Sequence, residues 1–210
     1  MGIPVLVMGE SGSGKSASLR NFGVNDVSVF NVAGKPLPFR TKLPTKNTSD
    51  YNEITSLISK SKKKAFVIDD SQYLMAFEAF AKAKEAGYGK FTDMALHFYN
   101  LVQFIIRKTP EDTIVYFLHH VEADSNTGKV RAKTQGKMLD SQLTLEGLFS
   151  IVLYCYTDGK KHSFITQSDG LTTAKSPMDM FPLEIDNDLK SVDEAIRTYY
   201  EFNKTNNDKE

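Results

Sequence analysis

Short and nearly continuous apolar runs recur along the chain, at residues 3–8, 27–30, 65–68 and 113–118. Their length and their β-branched and aromatic content predict strands buried on both faces. Between them apolar positions return at helical spacing. Ile54, Leu57 and Ile58 mark a helix within 50–59, and Leu74, Phe77, Ala81 and Ala83 mark a second. Met94, Leu96, Phe98, Leu101, Phe104 and Ile105 mark a third. Gly87 and Gly89 are expected to end the second helix, Asp93 to open the third, and Pro110 to lie just past its end. From residue 149 the pattern changes. Runs at 149–156 and 161–167 flank Thr157-Asp158-Gly159-Lys160, which predicts an antiparallel hairpin with an Asp-Gly turn. The fold class is therefore α/β, a mostly parallel sheet flanked by helices with an antiparallel hairpin near the C-terminus.

The connections are read from their breakers. Pro36, Pro38 and Pro44 make the stretch after 27–30 a loop or sheet edge, placed as a flap beside the first loop. Residues 122–140 read as a polar loop broken by Asn126, Gly128 and Gly136. Residues 171–182 read as a polar extension, 191–202 as an amphipathic helix and 203–210 as a frayed charged tail. A chain of 210 residues holds one such domain, assigned to 1–190, with the helix and tail in 191–210.

Composition narrows the partners. Lys and Arg total 26, as do Asp and Glu, so no global field draws the protein to nucleic acid or an anionic membrane, and any such contact must be local. Lys60, Lys62, Lys63 and Lys64 fit a solvated helix end. Cys155, alone and inside an apolar run, reads as a small core residue and fits a reducing cytoplasm. The N-terminal apolar stretch is only strand-length, so no signal peptide is expected, and no apolar run approaches the ~20 residues that span a bilayer.

The chemistry enters at residues 9–16, Gly9-Glu10-Ser11-Gly12-Ser13-Gly14-Lys15-Ser16, a complete G-x-x-x-x-G-K-[ST] pattern directly after the first strand. Glycines there let backbone N–H groups point at a triphosphate, and a helix starting near Lys15 through Ala17 would add its dipole. Lys15 is expected to reach the β and γ phosphates of a nucleotide and Ser16 to ligate Mg²⁺. A second metal partner should be an acid at the end of an apolar strand. Asp69 is assigned to Mg²⁺ and Asp70 to polarising water, with the reverse assignment open; Asp70 or Ser71 could also cap the following helix. His119 and His120 leave the next strand, where alternation turns one toward the γ-phosphate as a sensor, taken as His120, and the other away; two structural histidines are the alternative. Lys129, Arg131, Lys133 and Lys137 are candidate contacts to single-stranded DNA, or else solvated loop charges.

The order phosphate loop, acidic strand end, polar strand end, basic loop and terminal hairpin resembles the RecA-like P-loop ATPase core over residues 1–182. Val67-Ile68-Asp69-Asp70-Ser71 looks like the family's apolar-Asp-Ser element, with Asp70-Ser71 the closer textual match. Thr173-Ala174-Lys175-Ser176-Pro177 looks like the segment that RecA-like cores insert into a neighbour's site, which implies a homo-oligomer, ring or filament, with Lys175 acting in trans; a plain surface lysine is the alternative. Lacking extra domains, the chain is similar to the phage-encoded, core-only RecA-like proteins of the Sak type. These act with single-strand binding proteins in annealing and recombination, and the similarity implies ATP hydrolysis coupled to single-stranded DNA. Two places depart from the family. Phe30-Asn31-Val32 stands where a catalytic Glu is expected, and the His pair stands where RecA has a sensor Gln. A non-hydrolysing switch for a replication or helicase-loading partner is the second reading. A small-metabolite kinase is the third, weakened by few and scattered arginines.

Overall fold

The computed structural model of the protein describes residues 1–87, 89–135 and 144–202. Its strands are β1 (Ile3–Gly9), β2 (Val27–Asn31), β3 (Thr45–Asn47), β4 (Ala65–Asp69), β5 (Ile114–Ala123), β6 (Val130–Ala132), β7 (Ile151–Thr157), β8 (His162–Ile165) and β9 (Glu184–Asp186). Its helices are α1 (Tyr51–Lys60), α2 (Gln72–Ala81), α3 (Gly89–Lys108) and α4 (Leu189–Tyr199). Among the described residues the strands lie in the order β3-β2-β4-β5-β1-β7-β8-β9, with β6 added beside β5. From β3 to β7 the neighbours run parallel, while β8, β9 and β6 are antiparallel to theirs. The chain is thus an α/β protein with a mixed, mostly parallel sheet flanked by helices.

Burial on both faces explains the unbroken apolar runs. In β1, Leu6 and Met8 pack with Ile54, Leu74, Phe98 and Leu101 under α1, α2 and α3. Val5 and Val7 face the other way, into a core shared with Leu19, Phe22, Leu189, Val192 and Ile196. Strand alternation sends adjacent residues to opposite cores, and each must be apolar. Two helices carry side-chain caps. Asp50 accepts from the N–H of Asn52 and Glu53 at α1, and Asp188 accepts from Lys190 N–H at α4. One buried polar cluster pins α4: Asp193 accepts from Tyr116 Oη at 2.9 Å and from Arg197 Nε at 2.6 Å. Arg197 also donates to the Asp112 and Lys64 carbonyls, at 2.8 and 3.1 Å.

Several expectations need correction. The second helix ends at Ala81, well before Gly87 and Gly89, and α4 runs from Leu189 to Tyr199 instead of 191–202. The third helix starts at Gly89, not Asp93, because its first turn carries no buried apolar residue for the pattern to register; Lys90 ties that turn to the carbonyls of Lys82 and Glu85. The strand 113–118 continues through both histidines to Ala123. It pairs with β6, so 122–132 is a hairpin, closed by an Asx turn at Asp124. The segment 171–182 buries Thr172 and Ala174 and bridges back to Val152 through Lys175. Outside every expectation, β9 lies on β8 although Glu-Ile-Asp has no strand pattern; an edge strand needs only backbone pairing. Lys60–Ser61 ends α1 as expected, but the following lysines are engaged: Lys63 Nζ donates to the Val24 and Val27 carbonyls and Lys64 pairs with Asp112. Gly136, Lys137 and the tail 203–210 lie outside the described residues. Among the described residues no helix is long and apolar enough to cross a membrane.

Candidate functional site

Strand register brings the chemistry to one edge of the sheet. Gly9 is level with His120 on one side and Cys155 on the other, and Asn31 is level with Asp69. The carboxyl ends of parallel strands therefore converge at the position where α/β sheets hold ligands. Ser11, Lys15, Ser16, Asn31, Asp69, Asp70 and His120 border a cleft there of about 310 Å³, within the size range of ligand pockets.

The loop of residues 9–16 leaves β1 and doubles over its end. Gly14 holds φ +104, and a side chain there would meet the His162 ring at 2.9 Å, so this position suits glycine on both counts. Ser13 is fixed from behind: its carbonyl accepts from His162 Nδ1 at 2.7 Å and from Cys155 Sγ at 3.1 Å. Cys155 is buried, but more than a core filler, since it also accepts from Asn187 Nδ2; burial pushes its thiol up to about 11. The segment after the loop is a 3-10 turn, Ser16–Asn21, and not an α-helix. Ser18 N–H is shared between the Gly14 and Lys15 carbonyls, and Phe22 turns extended after two turns. The dipole expected there is correspondingly small, and charge in the cleft rests on side chains.

Lys15 is buried, and its Nζ donates to the carbonyls of Gly9 and Glu10, each at 2.8 Å. Burial lowers its pKa, an effect opposed by Cys155, Asp70 and Asp69. Ser16 Oγ donates to Asp69 Oδ1 at 2.7 Å. Burial raises the Asp69 carboxyl, with Ser16 partly offsetting it. Asp69 and Ser16, expected as joint metal partners, therefore touch.

Asp70 takes φ +59, a left-handed turn that ends β4, and its carboxylate meets different neighbours. Oδ2 lies 3.0 Å from Lys35 Nζ, and Oδ1 accepts from His120 Nε2 at 3.1 Å. Burial pushes the Asp70 carboxyl up, but His120 and Lys35 outweigh it and hold it low. Asp70 thus does not stand free for water as the sequence suggests. It is clamped by a residue that sequence reasoning missed, Lys35, whose sole signal is a lysine between Gly34 and Pro36 in the flap. Asn31 is also engaged: its Oδ1 accepts from Gly34 N–H at 2.9 Å and its Nδ2 donates to the Lys35 carbonyl.

The two histidines divide as alternation predicts. His120 lines the cleft, its ring edge-on to Tyr73. His119 is wholly buried, and burial lowers it to about 4, so the ring is neutral at pH 7. Its Nε2 donates to the Lys133 carbonyl at 2.8 Å, which leaves Nδ1 to accept from Ser71 Oγ at 2.9 Å. Ser71 consequently caps nothing with its side chain. The pair Ser71–His119 runs from the residue after the acids to the base of the β5–β6 hairpin.

On that hairpin Lys129, Arg131 and Lys133 are exposed, with Arg131 3.4 Å from Glu122; Lys137 lies outside the described residues. Lys175 lies apart from the cleft of its own chain, its backbone exchanging hydrogen bonds with Val152 at 2.7 and 2.9 Å.

The cleft has the donors a polyphosphate and a hard cation require: a buried ammonium, glycine-cradled loop amides and an Asp–Ser oxygen pair. Ser13 Oγ, buried without a partner, lies against Gly9 and does not line the cleft. Ser16 and Asp69 would hold Mg²⁺, which supplies charge neutralisation when bound, and phosphate and water would complete its shell. In comparisons with known proteins, no family model and no curated protein matches this chain.

Proposed function

We propose that the protein is a RecA-like ATPase that binds ATP with Mg²⁺ in the cleft over β1 and acts on single-stranded DNA, in phage recombination, annealing or replication in the host cytoplasm. The observation that carries this reading is the Ser16–Asp69 contact beside the Lys15 ammonium, at the end of a glycine loop. Lys15 would grip the β and γ phosphates, and the loop from Gly9 through Glu10, Ser11, Gly12, Ser13 and Gly14 to Ala17 would wrap them. The depression next to Ala17 and His162, bordered by Arg20 and Lys161, is where a nucleoside would extend. The spatial order supports the RecA-like assignment: β5, with the His pair, lies between the loop strand β1 and the acid strand β4.

Asp70 in this reading orients the attacking water, and His120 positions Asp70. The buried Ser71–His119–Lys133 chain supports coupling between nucleotide and the hairpin of Lys129, Arg131 and Lys133, through which DNA phosphates would be held. A neighbouring copy would supply Lys175 to offset charge on the γ-phosphate.

A second reading, a nucleotide-dependent switch with negligible turnover, is favoured by Asp70 being clamped and Asn31 tied to the flap. ATP turnover measured with and without single-stranded DNA, alongside light scattering, separates the two. DNA-stimulated turnover by an oligomer is expected. Tight ATP binding with no turnover in either condition selects the switch, and loss of neither binding nor turnover in Lys15→Ala rejects both.

A further inference from the structure

Asp70 and Lys35 form an asymmetric pair. Asp70 is half-buried, with 13% of its side chain exposed, whereas the Lys35 side chain is 63% exposed. The backbone under Lys35 is held by Asn31 from both sides, so the motion left to this residue is that of its four-carbon stem, which lies along Tyr73 with Nζ 5.5 Å from the ring centre. Lys35 also borders the same cleft as Lys15. A half-solvated Lys–Asp pair contributes little to stability, and a more highly charged anion entering the cleft competes with it. Lys15 and Lys35 stand against Asp69 and Asp70 in the cleft, so an entering phosphate competes with the two carboxylates for the same two ammonium groups.

We propose that Lys35 exchanges partners, leaving Asp70 for the terminal phosphate of a bound nucleoside triphosphate. The Lys35–Asp70 pair is one arrangement of this switch. In the other, Asp70 keeps only its bond from His120, and its Oδ2 becomes an acceptor for water next to the γ-phosphate. Lys35 is thereby a cis-acting substrate contact and a latch on Asp70, and the water acceptor is uncovered only when a third phosphate is present. This rests on the nucleotide-binding reading above.

Two measurements test it. Equilibrium binding of ATP and ADP to Lys35→Met should show ATP weakened about tenfold, the scale of one charge-assisted hydrogen bond, and ADP within about twofold. A double-mutant cycle of Lys35→Met and Asp70→Asn, read by urea unfolding, should show coupling between the two residues in the protein alone and with ADP. The coupling should vanish with the imido analogue of ATP at saturation. Equal weakening of ATP and ADP, or coupling that persists with the analogue, overturns the exchange while leaving nucleotide binding intact. Failure of the unaltered protein to bind ATP overturns both.

Discussion

Ser16 and Asp69 are 53 positions apart in the chain and share a 2.7 Å hydrogen bond. One follows the glycine loop of β1, the other ends β4, and β5 runs between those strands. Two oxygens from separated strands meet only because the sheet order and register hold both strand ends at one level. Asp69 is buried and raised in pKa by that burial, an arrangement a bound cation would relieve.

Asp69→Asn should therefore remove the contribution of Mg²⁺ and leave part of that of ATP. In the unaltered protein, MgATP at a hundredfold excess over its Kd should add about 2.7 kcal/mol to unfolding stability. Chemical denaturation with ATP, with and without Mg²⁺, reads the difference. A Mg²⁺ increment unchanged in Asp69→Asn would place the cation elsewhere.

Lys15→Met should cost ATP binding at least about a hundredfold, two tenfold steps of about 1.4 kcal/mol each, with the fold kept. The loop carbonyls of Gly9 and Glu10 lose their donor, which costs stability, while the desolvation of a buried ammonium is relieved. Urea unfolding should give a stability within about 3 kcal/mol of the unaltered protein. A variant that does not fold would make Lys15 a structural clamp instead.

His119 gives a pH dependence with a defined sign. Its folded value is lowered to about 4 from 6.5 by burial, so the native state favours the neutral ring. The stability this contributes is complete above pH 6.5 and is lost as pH falls toward 4. The gap corresponds to roughly 3 kcal/mol. His119→Gln should flatten the stability profile over that window relative to the unaltered protein. Parallel profiles for the two would show that His119 does not titrate on unfolding.

Asp193 should be the costliest single position on α4. Asp193→Ala leaves Arg197 and Tyr116 without their buried acceptor and should destabilise by about 3–5 kcal/mol. Tyr116→Phe removes one hydrogen bond and should cost about 1 kcal/mol. Comparable losses from the two would argue against the carboxylate as the centre of the cluster.

The hairpin cations can be counted by salt. If Lys129 and Lys133 each contact a DNA phosphate, their joint change to Ala should reduce the slope of log K against log salt by about 1.4 on single strands. An unchanged slope would move the DNA surface away from this hairpin.

Local signals carried much of this molecule. The apolar runs of β1, β2, β4 and β5, the helix within 50–59 and the Asp-Gly hairpin each depend on neighbours within a few residues, so they were legible, as was the glycine loop with Lys15 and Ser16. The edge strand β9, the hairpin β5–β6 and the early start of α3 were not, because backbone pairing and solvated first turns leave no hydrophobic period. Asp69 and Asp70 were singled out from sequence, yet their division of labour was not. Adjacent acids look alike until a left-handed turn at Asp70 points one carboxylate at Ser16 and the other at Lys35 and His120.

The sequence by itself determined the fold class and the residues of the loop, since burial period and glycine spacing are properties of contiguous chain. Only the tertiary structure decided what those residues touch. It placed Cys155 and His162 behind Ser13, buried His119 between Ser71 and Lys133, and set Lys35 against Asp70. Hydrogen bonds and ion pairs between distant positions follow from strand order and register, and no local pattern encodes those.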